Sequence, residues 1–330
     1  MSELQIGLLA IGALVVAGVL IYNRVQERRA KHATERAFRS GHSDVLMEKS
    51  GPAAGHDSAP DPVRPPMRAA PPDEAAQPDP VIDYIIELGA EHPVAQGALR
   101  EQWQAIERRH ARRALLAGSA DGRSWRAALQ LVSRDGAVGE ADLIEFRSAV
   151  ETLAASVGAT VSAPEMRSAV EAARALDDFC AESDIQVVVH VNGGPFAGTK
   201  LRAAAEASGL ALEADGKFAQ RNDEQRLLYT LGAQDGTAFS AATMRDATPQ
   251  AVSLTLDVTR APDTRRSFES MTRLAHQLAS VLGGSIVDDN GNVLDERAVA
   301  AIAVQLDSVR ARLEAQGLPP GGPAALRLFS

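Results

Sequence analysis

Three features carry residue types whose spacing could do chemistry. Gly193-Gly194-Pro195 followed by Gly198-Thr199-Lys200 places glycines, a hydroxyl and an ammonium between an expected strand and an expected helix, the ingredients of a phosphate cradle. A Walker loop needs Gly, four residues and then Gly-Lys-Ser/Thr, whereas here the hydroxyl precedes the lysine. The order reads as a plain strand-to-helix connection with Gly198 or Thr199 as N-cap. Asp288-Asp289-Asn290-Gly291-Asn292 has the acidic, Asn-rich start of a calcium loop, but its sixth and twelfth positions hold Val293 and Val299 in place of Gly and Glu. It reads as a hairpin turn through Asn290-Gly291. The seven histidines, His32, His42, His56, His92, His110, His190 and His276, never pair at ligand spacing. Cys180 is the single cysteine, so an intrachain disulfide and Cys-pair zinc sites are both excluded, and no base is adjacent to activate it. With no Gly-x-Ser-x-Gly elbow either, the expectation is a non-enzyme without cofactor, metal or small-molecule substrate.

The elements that would position these residues start at Val81. Val81 to Leu88 reads as a strand and Pro93 to Arg108 as a helix, then Arg113 to Ala117 and Trp125 to Val132 as β-like stretches. Glu140 to Ser156 is a helix with Leu143, Phe146, Val150, Leu153 and Val157 on one face, and Gly158 is suited to end it. A short strand at Thr160-Val161 and a helix from Pro164 to about Glu182 follow. Trp103 and Trp125 are expected in the core of this half, with a partner-anchoring role as the alternative. The second half repeats the order: strand Ile185 to Val191, helix Gly198 to Ser208, strands Leu210 to Phe218, Gln225 to Leu231 and Ala251 to Thr259. It continues with helix Thr264 to Leu282, strands Ser285 to Asp288 and Asn292 to Leu294 about a turn, and a last helix Asp295 to Gln316.

The correspondence extends to letters. At an offset of 125, Ala149, Leu153, Ala154, Val157 and Gly158 fall on Leu274, Leu278, Ala279, Leu282 and Gly283, while Tyr84-Ile85-Ile86 precede Val187-Val188-Val189 by only 103. Two tandem copies of one α+β unit are expected, the first shortened: 81–182, and 185–317, with 318–330 a flexible tail.

Ahead of this body lies an apolar run, Leu4 to Tyr22, whose 19 residues at about 1.5 Å each match a hydrocarbon core of about 30 Å. Glu3 precedes it, and Arg24, Arg28, Arg29 and Lys31 follow. A signal peptide has the reverse order, so the expectation is an uncleaved transmembrane helix over 1–23, with the N-terminus outside and the bulk of the chain in the cytoplasm. Residues 24–40 form a basic juxtamembrane segment able to sit on anionic headgroups. Residues 41–80 hold nine of the 17 prolines among Ala, Asp and Gly, the composition of a disordered linker. Seven basic and four acidic side chains over 24–49, and two and five over 50–80, leave −8 of the total −9 on 81–330. So acidic a body argues against nucleic acid as partner.

From Gln186 onward, the run Leu278-Ala-Ser-Val-Leu-Gly-Gly-Ser-Ile-Val-Asp-Asp289 before a turn and a terminal helix resembles the C-terminal domain of the ZipA family of bacterial cell-division proteins. Val187-Val-Val-His-Val191, Leu227-Leu-Tyr-Thr-Leu231 and Val252-Ser-Leu-Thr-Leu-Asp-Val258 belong to the same resemblance, as does the order anchor, charged segment, Pro-rich linker, domain. It implies a six-stranded antiparallel sheet backed by helices, whose open face binds the C-terminal tail of the tubulin-like FtsZ and tethers its filaments to the membrane. The residues then expected on that face are Val191, Leu228, Thr230, Gly232, Gln234, Ser253 and Thr255. Most are Thr, Ser, Gln or Gly where the family offers larger apolar side chains. That leaves three readings: altered contacts to the same peptide, a groove filled by face-to-face packing on residues 81–182, or an adaptor of the same fold for a different divisome or envelope partner.

Overall fold

Period-2 hydrophobicity and helix stop signals account for most of the elements seen in a computed structural model, which describes residues 77–110 and 113–329. The expected anchor at Leu4 to Tyr22, the basic segment 24–40 and nearly all of the linker 41–80 lie outside the described residues. Among the described residues no helix is long and apolar enough to cross a membrane.

In chain order the first half comprises β1 (Asp83–Ala90), α1 (Gln96–Arg109), β2 (Ala114–Gly118), β3 (Ser124–Gln130), the short pair β4 (Val132–Ser133) and β5 (Gly136–Ala137), α2 (Glu140–Ser156), β6 (Ala159–Ser162) and α3 (Met166–Ser183). The second comprises β7 (Gln186–Asn192), α4 (Gly198–Ala207), β8 (Ala211–Leu212), β9 (Phe218–Arg221), β10 (Leu227–Ala233), β11 (Ala251–Asp257), α5 (Thr264–Leu282), β12 (Ser285–Val287), α6 (Glu296–Ala315) and α7 (Pro323–Leu328). The two larger sheets run β2-β3-β1-β6 and β12-β7-β11-β10-β9-β8, with antiparallel neighbours throughout, so the fold is α+β.

Each sheet buries one face under its helices. On α5, Phe268, Met271, Leu274, Ala275 and Leu278 recur at helical spacing and pack on Val189, Val191, Leu231, Val252, Leu254 and Leu256. Asp263 starts α5 by accepting the Arg266 N–H at 3.3 Å, and Gly283 stops it in the left-handed region at φ 76°. In the first half, Leu143, Phe146, Val150 and Leu153 of α2 cover Tyr84, Ile86, Leu88, Ala127 and Leu129. Both tryptophans lie in this core: Trp103 meets Phe146 edge-on at 6.4 Å, and Trp125 is 5% exposed.

Apart from Val191 on β7 and from Asn292 to Leu294, which gives a single bridge between Val293 and Val287 in place of a strand, the structure departs from the sequence reading in three places. The stretch Leu210 to Phe218 is not one strand but β8 and β9 folded back on each other, because Asp215-Gly216 makes a turn closed by Glu213 N–H to the Lys217 carbonyl at 2.8 Å, with Gly216 at φ 80°. The N-cap of α4 is Ala197, neither Gly198 nor Thr199. The third concerns the tail: Leu318 is fully buried, α7 forms, and Leu313, Leu318, Ala324 and Leu328 complete the core of the first half. Pro323 supplies a preset φ to the first turn of α7, whose Ala324, Ala325 and Leu328 are buried. Arg327 of α7 reaches the buried Asp83 carboxylate with both Nη atoms, at 2.9 and 2.7 Å, and the Gln130 Oε1 at 3.4 Å. This strap covers one end of the outward face of the first sheet.

Candidate partner-binding face

The face of the second sheet turned away from α5 is built in rows by the strand register. Val188, Thr255, Thr230 and Ala219 stand side by side on β7, β11, β10 and β9. The next row sets His190 beside Ser253 and Ser253 beside Gly232. Of the residues expected on this face, Leu228, Thr230, Gly232, Ser253 and Thr255 are half-buried there, adjacent to one another, while Gln234 is exposed just past the end of β10, its N–H bonded to the Ala251 carbonyl. Val191 is misplaced: it is 0% exposed, faces Val252 across the ladder and belongs to the core. His190, one residue earlier, takes the outward position. The signal was present, because His190 is the one polar residue within Val187–Val191, and a strand whose partners on both sides are apolar turns its polar parity outward.

His190 is 7% exposed and held from both ring nitrogens, Nδ1 at 2.8 Å from Ser253 Oγ and Nε2 at 2.8 Å from Asp289 Oδ1. Asp289 belongs to the turn once considered for calcium, where Asp288 Oδ1 accepts the N–H groups of Asn290 and Asn292 at 2.9 and 2.8 Å, an Asx arrangement that closes the hairpin. The Gly193–Lys200 connection is equally committed to packing. A Cβ on Gly194 would stand 2.5 Å from the Gln250 carbonyl, and one on Gly198 would stand 2.2 Å from that of Met244. Both glycines are therefore required for backbone to lie against backbone.

Over part of the two rows lies a groove of about 450 Å³, lined by Leu228, Thr230, Thr255 and Asp257, by Lys217, Arg221, Arg226 and Arg260, and by Leu326 of α7. No residue of the first sheet lines it, so face-to-face packing of the two sheets does not fill it. The cations were missed by the sequence reading because they come from turns and strand ends, where alternation gives no direction. Arg221 is held by Glu213 through Nε at 2.7 Å and Nη2 at 3.2 Å, and Arg226 pairs with Glu224 and donates to the Gly321 carbonyl at 3.3 Å. Asp257 Oδ1 is occupied by the Thr259 and Arg260 N–H groups and the Thr259 hydroxyl. On the buried side, Tyr229 places its hydroxyl 3.3 Å from Ser270 Oγ, and burial pushes its phenol pKa up.

The Ser253 hydroxyl stands beside the His190 ring, itself held by Asp289, and these bonds fix a buried imidazole in the outward row. The hydroxyls of this face, one leucine and several cations supply contacts for a peptide laid across the sheet. A second outward groove, of about 650 Å³, lies on the first sheet between Glu87, Gly89, Ser124, Arg126, Thr160 and Ser162.

Residues 184–305, from the start of β7 into α6, match the family described as ZipA, C-terminal FtsZ-binding domain. No curated protein matches the chain.

Proposed function

We propose, taking residues 184–305 as a ZipA-type FtsZ-binding domain, that this chain is a cell-division protein that binds the C-terminal tail of FtsZ and tethers its filaments to the inner membrane during septum assembly. The family match is the observation that carries the reading, and the outward face of the second sheet is where the tail is expected to lie. Leu4 to Tyr22 provides the single membrane pass, N-terminus periplasmic, and residues 41–80 the linker that lets the cytoplasmic domain search near the bilayer. The mechanism is linkage without chemistry: each tail contact is weak, and many along one filament multiply into firm attachment.

The first half is read as a shortened copy of the second. In support, β6-β1-β3-β2 and β12-β7-β11-β10 are connected in the same sequence order, and Leu88 faces Val161 and Trp125 as Val191 faces Ile286 and Val252. Gly158 and Gly283, both left-handed, follow the equivalent helices α2 and α5. The hairpin β8-β9 has no counterpart, which accounts for the smaller offset of the leading strands.

The test is titration of the full chain in detergent against a labelled peptide of the same organism's FtsZ tail. Binding in the micromolar range, weakened at least about tenfold by Leu228→Asp, is the expected result. Absence of binding at several hundred micromolar would refute it. The scarcity of apolar side chains on the face, Leu228 among Thr230, Gly232, Ser253 and Thr255, favours one other reading, a membrane-tethered adaptor for a different divisome or envelope partner. Affinity capture that recovers such a partner and no FtsZ would select it.

A further inference from the structure

We propose that the groove of the second sheet takes an acidic segment, whose carboxylates are bound by Lys217 at one end and Arg260 at the other. This rests on the reading of that sheet as the tail-binding face and specifies which chemistry the tail must present.

The argument is one of charge and of unmet hydrogen bonding. Residues 81–330 carry a net −8, yet the groove is lined by four cations, Lys217, Arg221, Arg226 and Arg260, against Asp257 in the lining and Asp184 behind Arg260. Four cations gathered on one face of an acidic body are a local arrangement that composition does not produce. Two of the four are already engaged, Arg221 with Glu213 and Arg226 with Glu224. The other two are not. Among the described residues neither Lys217 nor Arg260 forms an ion pair, and no side-chain acceptor is hydrogen-bonded to either. Arg260 Nε is buried without any partner, so no internal acceptor holds this guanidinium, whose side chain lines the groove. Asp257, the carboxylate beside it in the lining, has turned its Oδ1 back onto the Thr259 and Arg260 backbone.

Placement fits an extended ligand. Lys217 runs its aliphatic stem over Gly232, its Cγ 3.5 Å from where a Cβ would sit, and Gly232 pairs with Ser253. Arg260 follows the other end of β11, past Asp257. At about 3.3 Å per residue, Ser253 to Asp257 covers roughly 13 Å, so the two cations flank a stretch of about four extended residues lying over Thr230, Thr255 and Leu228. With so little apolar surface between them, charge-assisted hydrogen bonds at the ends are the strongest contacts the groove offers.

The test is fluorescence anisotropy with the full chain in detergent and four peptides of equal length: the FtsZ tail, the same tail with every Asp and Glu replaced by Asn and Gln, a generic acidic peptide, and its amide counterpart. Loss of about tenfold in affinity for the amide tail, and a similar loss for Arg260→Met and Lys217→Met with the native tail, is expected. Equal affinity for native and amide tails, with both variants unchanged, overturns the acidic-ligand proposal and leaves the FtsZ reading intact. Binding of the generic acidic peptide but not of the tail, weakened by Arg260→Met, supports the proposal and rejects FtsZ. Binding of none overturns both. Lys217 is exposed, so its variant keeps the test decisive if circular dichroism shows Arg260→Met misfolded.

Discussion

Asp83→Asn tests whether the C-terminal strap is part of the folded body. The Asp83 side chain is 0% exposed and Arg327 17%, and the two are joined by a bidentate pair at 2.7 and 2.9 Å; Asp83 Oδ2 also accepts the Asp79 N–H at 2.7 Å. An amide keeps the shape but faces one guanidinium N–H with its own NH₂, and takes the Asp83 charge away from a largely buried cation. Removing one partner of a buried pair costs about 3–5 kcal/mol. The contacts Arg327 keeps, the Gln77 carbonyl at 3.2 Å and Gln130 Oε1 at 3.4 Å among them, and its slight access to water place the cost near the lower figure, about 3 kcal/mol. For a folded unit of this size, about 2–4 °C are lost per kcal/mol, so the melting temperature falls by about 6–12 °C. Thermal unfolding of the full chain followed by circular dichroism reads this directly. The double substitution of Asp83 and Arg327 by leucine supplies the control: an apolar pair in the same place leaves no stranded charge, so it is less destabilised than the sum of its single variants. A melting temperature for Asp83→Asn within about 1 °C of the wild type, or strict additivity in the cycle, would refute the claim that α7 is clasped to the first sheet.

The other expectations are narrower. His110 is 4% exposed, lies edge-on to Phe146 at 5.5 Å, and its pKa is lowered by burial and then by the Arg113 cation. A histidine held down in the folded state contributes stability above its unfolded value of about 6.5 and loses it as pH falls through the folded one. Urea midpoints therefore drop more steeply between about pH 6.5 and 5 for the wild type than for His110→Leu, and identical slopes would count against it. The Cys180 thiol is pushed up to about 12 by burial, with Asp177 and Asp184 adding to the shift, so alkylation by iodoacetamide at neutral to mildly basic pH runs at least about a hundredfold slower than for a free cysteine. A rate equal to the free thiol's would contradict that burial. Gly198→Ala, whose Cβ would sit 2.2 Å from the Met244 carbonyl and 2.9 Å from that of Ala247, costs about 2 kcal/mol or more, and an unchanged denaturation midpoint would show that the 244–247 loop yields freely.

What could be read from the linear chain was whatever a residue states about its own backbone and its own side of an element. The run Thr264–Leu282 states its helical face and its Gly stop, and Val252, Leu254 and Leu256 state theirs by alternation, so the order of most helices and strands and the inward set of β11 were legible, whereas on β10 a bulge between Leu227 and Tyr229 leaves Leu227 lining the groove. So were the glycine stops shared by α2 and α5, which first pointed to a repeated unit. Three things were decided only by tertiary structure. Val191 turned inward because the register of β7 on β11 sets it against Val252, and register depends on a partner many residues away. The Pro/Gly-rich end became a helix because Leu318, Ala324 and Leu328 found an unfilled part of the core of the first half, which only the folded sheet creates. The cationic lining of the groove came together because Lys217, Arg221, Arg226 and Arg260 leave turns and strand ends that converge in space. Local propensity and periodicity act over a few residues and are written in the sequence, whereas convergence of distant turns is a property of packing and is not.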